Sequence, residues 1–401
     1  MTREDLRVAV KEALTKSNNI AIQAGTGIGK SKLALELLYE LSTRQLGTLK
    51  VLIVVAERAH IGNWHAEMIK WNLSFGSAII ICYASLKKYV DTEWDAIIFD
   101  EAHHLGSDLR LDIFSTLKAK NMIFLSATLK DSLLWELSQY CGHIESVKMG
   151  LQEAFNSNIL PEPKIKLISL TLDNKNYTET VIQERGYKSK RKCITCNYPD
   201  RWKYLKNKRE YSNLTLTIRC TQQQKYDFLS EQFIYYKNQY MRTRNEAIKN
   251  KWLQYGSKRK MYLGLLKTDY VKDILETVKD KRFICFCTNI EQAEALGGKN
   301  AIHSKMKNPL EIIDKFNNKE IDNLFAVGML KEGMNLNDIQ VGIIVQLDGQ
   351  EISFIQKFGR TLRAESPIQY IIYYKDTRDE EYLNTALENI DTKYITRMEE
   401  P

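Results

Sequence analysis

An apolar run of strand length, NIAIQ (19–23), passes without a break into AGTGIGKS (24–31) and then into the helix-forming stretch KLALELLYEL (32–41), and no other feature restricts the fold so tightly. Gly25, Gly27 and Gly29 free the backbone to take positive φ, so that successive N–H groups and the start of the helix face one concavity. An anion fits there, and a phosphate fits best. Lys30 then supplies a point charge to the outer phosphates of a nucleotide, and the Ser31 hydroxyl a ligand for Mg²⁺. The candidate phosphate-binding loop is Ala24, Gly25, Thr26, Gly27, Ile28, Gly29, Lys30 and Ser31. A plain glycine turn is the bland alternative, and the flanking strand and helix argue against it.

Such a loop needs a parallel sheet behind it, and the chain supplies the runs. VLIVV (51–55), AIIIC (78–82), AIIFD (96–100) and MIFLS (122–126) alternate with helical stretches. RFICFC (282–287), NLFAV (323–327), VGIIVQ (341–346) and IQYIIYY (368–374) form a second series. The fold class predicted is therefore α/β, with two parallel-sheet lobes of the P-loop type and a basic, mixed strand and helix insertion between them. The expected boundaries are 1–150 for the first lobe, 151–260 for a linker and the insertion, 261–378 for the second lobe, and 379–401 for a C-terminal helix and tail.

Charge is distributed along the same lines. Residues 164–260 carry 23 Lys plus Arg against 8 Asp plus Glu, a net +15, which leaves −7 for the rest of a chain whose formal total is +8. Within this segment KIKLISLTL and NLTLTIRCT alternate like strands, and Tyr226, Leu229, Phe233, Tyr236 and Tyr240 mark one face of a single helix expected from Gln222 to Tyr255. That stripe reads as packing rather than as a binding surface.

Two further motifs carry chemistry. DEAH (100–103) closes the run AIIF, which puts Asp100 at the carboxyl end of a buried strand, where α/β sheets bind ligands. Asp100 suits Mg²⁺, and Glu101 is placed to polarise a water that attacks the terminal phosphate. QKFGRTLR (356–363) sets Gln356, Arg360 and Arg363 on one short segment, and two guanidiniums there could reach a transferring phosphoryl group. A solvated amphipathic helix is the alternative for that segment.

In order, AGTGIGKS, VLIVVAERAHIGNWHAEM, YASL, DEAHHL, SAT, FICFCTNIEQAEAL, LKEGMNL and QKFGRTLR resemble the motif series of the superfamily 2 helicases and translocases. The resemblance implies two RecA-like lobes clasping ATP, with nucleic acid across their top. It implies Lys30 and Ser31 as phosphate and Mg²⁺ ligands, Asp100 and Glu101 as Mg²⁺ and water residues, and Arg360 and Arg363 as arginine fingers. It further implies that Gln356 positions the attacking water, that Ser126 and Thr128 couple ATP state to lobe movement, and that Glu332 and Gly333 contact ATP and the nucleic-acid backbone. The adenine-reading glutamine is missing from the N-terminal helix, and Val327 and Gly328 stand where a hydroxyl residue is usual. Asn335 replaces an aspartate, as in the Swi/Snf branch, which LPEPKIKLISLTL, CTQQQKYDFL and NWHAEMIKW also resemble.

The expected activity is that of an ATP-dependent, nucleic-acid-stimulated DNA helicase or translocase using ATP and Mg²⁺. Its track is single-stranded or duplex DNA, with RNA left open. The second reading is a Swi/Snf-like duplex translocase that does not separate strands, and the third an ATP-switched binding module. Lys188, Lys190, Arg191, Lys192, Arg201, Trp202 and Lys203 combine phosphate-neutralising charge with aromatic interleaving, so they are the candidate nucleic-acid contacts, against the alternative of a solvated surface. Cys193 and Cys196 form one C-x-x-C without two further ligands nearby, so no zinc site is expected. No run is apolar enough to span a membrane, and the N-terminus has no signal core, so a cytoplasmic protein is expected; the resemblance implies a compact enzyme of a bacterial or phage-infected cell, and a monomer is expected.

Overall fold

The computed structural model describes residues 2–25, 27–184, 214–306, 308–328, 336, 338–347, 351–362 and 364–398. The first lobe alternates as the sequence predicts: α1 (Arg3–Lys16), β1 (Asn19–Ala24), α2 (Lys30–Gln45), β2 (Leu49–Val55), α3 (Arg58–Trp71), β3 (Gly76–Cys82), β4 (Glu93–Asp100), α4 (Asp108–Phe114), β5 (Lys118–Ser126), α5 (Asp131–Cys141), β6 (Ile144–Met149) and α6 (Leu151–Asn156). All six strands are parallel, in the order β3-β2-β4-β5-β1-β6. β1 and β4 therefore flank β5, which brings the ends of three motif-bearing strands to one edge. β1 is buried along its whole length, as a strand covered on both faces must be.

Next come β7 (Lys164–Leu170), an antiparallel pair of β8 (Thr178–Glu184) and β9 (Leu214–Cys220), and three helices, α7 (Gln222–Thr243), α8 (Glu246–Leu266) and α9 (Thr268–Thr277). The single helix expected from Gln222 to Tyr255 is in fact two. Arg244 turns left-handed at φ 51 and returns its N–H to the Tyr240 carbonyl at 2.8 Å. Asn245 then caps the new helix, accepting from the N–H groups of Ala247 at 2.9 Å and Ile248 at 3.4 Å. The aromatic stripe closes against the second helix, with Tyr236 stacked on Tyr255 and Phe233 and Tyr240 against Trp252.

The second lobe adds β10 (Phe283–Phe286), α10 (Ile290–Gly297), β11 (Ala301–Ile302), α11 (Pro309–Asn317), β12 (Asn323–Ala326), β13 (Val341–Ile344), α12 (Glu351–Thr361), β14 (Ile368–Tyr374), α13 (Arg378–Leu387) and β15 (Ile395–Met398). Its seven strands run β11-β12-β10-β13-β14-β7-β15, all parallel. Two segments outside the expected 261–378 thus complete this sheet. β7 pairs with β14 from Lys164↔Ile368 to Leu170↔Tyr374, and β15 forms the edge where only a helix and tail were expected.

Candidate nucleotide site

The loop between β1 and α2 has the backbone that its glycines permit. Gly27 stands at φ 90, and Gly29, at φ 104, caps α2 without a side chain of its own. The first turn of α2 is thus left open toward any anion. Gly25 is closely packed: a Cβ there would lie 2.8 Å from Leu151 Cδ2 and displace that side chain, while at Gly27 the corresponding distance to Leu160 Cδ2 is 3.3 Å. Ala24 and Ile28 are buried beneath the loop. Lys30 is the first residue of α2 and folds its ammonium back to donate to the Ala24 carbonyl at 2.8 Å, with Ser31 beside it on the same turn. Thr26 lies outside the described residues.

Asp100 ends β4. The Trp64 indole N–H donates to its Oδ2 at 2.9 Å, the Glu101 backbone N–H donates to its Oδ1 at 3.1 Å, and the Tyr83 hydroxyl donates to its carbonyl at 3.1 Å. Glu101 takes the left-handed conformation at φ 51, which turns the chain sharply away from the strand. Burial, and after it the negative charge of Glu101, push the Asp100 carboxyl above the usual aspartate range, against the Trp64 hydrogen bond and the proximity of Lys30 and His60. His60, one turn before Trp64 on α3, is buried, and its Nε2 has no hydrogen-bond partner among the described residues.

β5 joins the two motifs. Ser126 is fully buried and donates its hydroxyl proton to the Thr128 carbonyl at 2.8 Å. With that proton committed, the contact of 3.3 Å between Ser126 Oγ and His103 Nδ1 needs the imidazole to donate. The same Nδ1 is 3.4 Å from Glu101 Oε2. Gln23 at the end of β1 donates to Ser146 Oγ and accepts the Leu129 N–H, both at 2.9 Å, which fixes the segment that follows Ser126 and Thr128.

The donor set fits a hard divalent cation. Asp100 and Ser31 offer oxygen ligands, and Asp100 stands beside the second carboxylate of Glu101, both half-buried. Among the described residues no group of three or more His, Cys, Asp or Glu could hold a metal by itself. Cys193 and Cys196 lie outside those residues.

Gln356 and Arg360 lie on α12, and Arg360 is buried at 5% exposure, which excludes a fully solvated helix for this segment. Phe358 of α12 packs edge-to-face on Phe155 of α6, with ring centroids 6.3 Å apart, and Phe155 packs likewise on Tyr394 at 5.5 Å. Leu151 of the same α6 abuts the loop at Gly25. A single short helix therefore touches both the phosphate loop and the helix carrying Arg360. Arg363, Glu332, Gly333 and Asn335 lie outside the described residues, as do Lys188, Lys190, Arg191, Lys192, Arg201, Trp202 and Lys203. Sequence reasoning missed Trp64, His60, Leu151 and Leu160 as parts of this site. The i, i+4 spacing of His60 and Trp64 was the one available signal, since it puts both on one face of α3.

Comparisons with known proteins bear on the fold. Residues 266–365 match the helicase conserved C-terminal domain. A Methanocaldococcus jannaschii protein named as an ATP-dependent RNA helicase is 31% identical over an alignment of 136 residues that covers 30% of this chain and 17% of that relative's length. The Pyrococcus furiosus Hef helicase domain superposes with a TM-score of 0.50 at 15% identity, covering 96% of this chain and 97% of that one. The ATP-dependent Type ISP restriction-modification enzyme LlaBIII, in a structure bound to DNA, gives 0.56 at 11% identity, covering 100% of this chain and 31% of that one. Among the described residues no helix is long and apolar enough to cross a membrane.

Proposed function

We propose that this chain, which has the two-lobed fold of the superfamily 2 helicases and a helicase C-terminal domain at residues 266–365, is a motor that hydrolyses ATP to move along nucleic acid. The observation that carries the reading is the convergence of the phosphate loop, Asp100, Glu101 and Ser126 on one edge of the first sheet, with α6 tying that edge to α12. In this reading the N–H groups of the loop and of the first turn of α2 hold the β and γ phosphates, and Lys30 leaves the Ala24 carbonyl to meet them. Ser31 and Asp100 hold Mg²⁺, which supplies charge neutralisation at the phosphates when bound. Glu101 takes the proton of the attacking water, oriented by its left-handed turn and by His103.

Arg360, with Arg363 and Gln356, completes the site from the second lobe and stabilises charge developing on the transferred phosphoryl group. Loss of the γ-phosphate removes what these groups hold in common, so the lobes separate and their grip on the track alternates. We take DNA as the track. The DNA-bound state of LlaBIII and the Swi/Snf-like NWHAEMIKW and LPEPKIKLISLTL support it, and the RNA helicase relative supports the alternative. The Swi/Snf-like features also favour duplex translocation as the second reading. ATP turnover measured with single-stranded DNA, duplex DNA and RNA tests the proposal: stimulation by one of them is expected, and no turnover with any of them refutes it. Forked-duplex unwinding beside triplex displacement then separates helicase from translocase. Glu101→Gln should keep nucleotide binding and lose turnover.

A further inference from the structure

Trp64 is almost wholly buried on α3, yet its indole N–H is spent on the side chain of Asp100. Buried indoles need an acceptor, and a carbonyl would do. Here the acceptor is instead the carboxylate that the proposed function assigns to Mg²⁺. The two oxygens of Asp100 are held separately: Oδ2 accepts from Trp64 at 2.9 Å and Oδ1 from the Glu101 N–H at 3.1 Å. A carboxylate has about two acceptor positions per oxygen, so one on each remains for a further ligand.

The strand end is fixed as well, because the Tyr83 hydroxyl donates to the Asp100 carbonyl at 3.1 Å. Among the described residues these two N–H groups are the hydrogen-bond donors to the carboxylate, and they set the rotation of its plane. The Glu101 N–H is backbone and comes with the turn. The Trp64 N–H comes from another element, and it is the part that a different sequence would lack.

We propose that Trp64 is a positioning residue: its indole N–H holds the Asp100 carboxylate in the rotation that receives Mg²⁺, so that this carboxylate need not reorder when the metal and nucleotide arrive. The inference rests on the proposed function, since it takes Asp100 as a Mg²⁺ ligand. A bond of this kind, made to a ligand rather than to the metal, is worth on the order of 10–100-fold in metal affinity. A purely structural Trp64 would lower stability on truncation and leave the metal requirement where it was.

The test reads metal binding rather than turnover. Binding of fluorescent mant-ADP to the full chain is titrated with Mg²⁺, and separately measured in EDTA. Trp64→Phe, which keeps a ring and removes the donor, should raise the half-saturating Mg²⁺ by about 10–100-fold while changing nucleotide affinity in EDTA by less than about twofold. In an Asp100→Asn background the same substitution should move the Mg²⁺ requirement no further, because the two residues act as one unit. If Trp64→Phe fails to fold, benzothienylalanine incorporated at position 64 keeps the shape of tryptophan without its N–H, and the same shift is expected. An unchanged Mg²⁺ requirement with either replacement overturns the proposal, and so does an equal shift with and without Asp100. Absence of any Mg²⁺-dependent mant-ADP binding by the unmodified chain would instead count against the proposed function itself.

Discussion

Lys267 stands at the junction of α8 and α9 with no exposed surface, and its ammonium is saturated by three acceptors. It is 2.6 Å from Asp379 Oδ2, 2.9 Å from the Val345 carbonyl and 3.1 Å from Gln346 Oε1. Burial pulls its pKa below the usual lysine value, against the pull of Asp379. Asp379 is held in turn by the Gln346 amide and the Tyr374 N–H. Lys267→Met removes the cation and leaves a buried carboxylate and two acceptors without it. Breaking a buried pair on one side costs about 3–5 kcal/mol. At 2–4 °C per kcal/mol for a lobe of this size, the midpoint of the second lobe should fall by roughly 6–20 °C.

The paired change Lys267→Met with Asp379→Leu should recover most of that loss, since replacing both charges by apolar groups is often neutral. The assay is thermal unfolding followed by differential scanning calorimetry, which resolves lobes that melt separately. A single variant that melts within 2 °C of the unmodified chain would refute the reasoning, and so would a double variant that melts lower than the single one. The first result would mean that the pair contributes nothing the interior could not supply without it, and the second that Asp379 is held by Gln346 and Tyr374 independently of Lys267.

Gly76 takes φ 126 and any Cβ there would lie 2.2 Å from the Leu49 carbonyl oxygen, so Gly76→Ala should destabilise the first lobe by about 3 kcal/mol or more. Gly62, exposed within α3 with open space around it, makes the control: Gly62→Ala should stabilise by roughly 0.5–1 kcal/mol in the same denaturation assay. Burial pushes the Cys141 thiol from near 9.0 up to about 11. Its alkylation at pH 8, followed by peptide mass spectrometry, should therefore run about 100-fold slower in the native protein than in urea. Because the folded pKa is the higher one, the stability it contributes is complete below pH 9 and is lost as pH rises toward 11. Reversing the charges of Lys188, Lys190, Arg191 and Lys192 should weaken nucleic-acid binding and flatten its salt dependence in fluorescence anisotropy; unchanged affinity would remove this segment from the track.

The central strands were legible because each is buried on both faces and must therefore be written as an unbroken apolar run. β6 was not, for the opposite reason. It is an edge strand paired only with β1, so IESVKM buries two of its six residues and carries no run. β15 fails in the same way, with ITRM on the edge beside β7. The break between α7 and α8 was written in the sequence as Asn245, a good cap, but the aromatic spacing continues through it because both helices use those rings to face each other. In the candidate site, the loop glycines and the acidic pair were visible because their chemistry is local in sequence. Trp64 was not, because a hydrogen bond to a residue 36 positions away leaves no mark beyond a helix face.

The segment that was expected to be a linker has the larger consequence. Residues 151–160 sit between the lobes as a packed element, with Leu151 and Leu160 under the phosphate loop and Phe155 against Phe358 and Tyr394 of the second lobe. Polar contacts fasten the same segment at both ends: Arg3 donates to the Ile159 carbonyl at 3.2 Å, and the Gln152 side chain accepts the Asp391 N–H at 2.7 Å. A packed interior responds to a displacement by repacking rather than by stretching. Any change in the distance between the loop and α12 must therefore be taken up where α6 meets one of them. The Phe155 contacts are side chain on side chain between elements of different lobes, whereas Leu151 and Leu160 lie against the glycines of the loop.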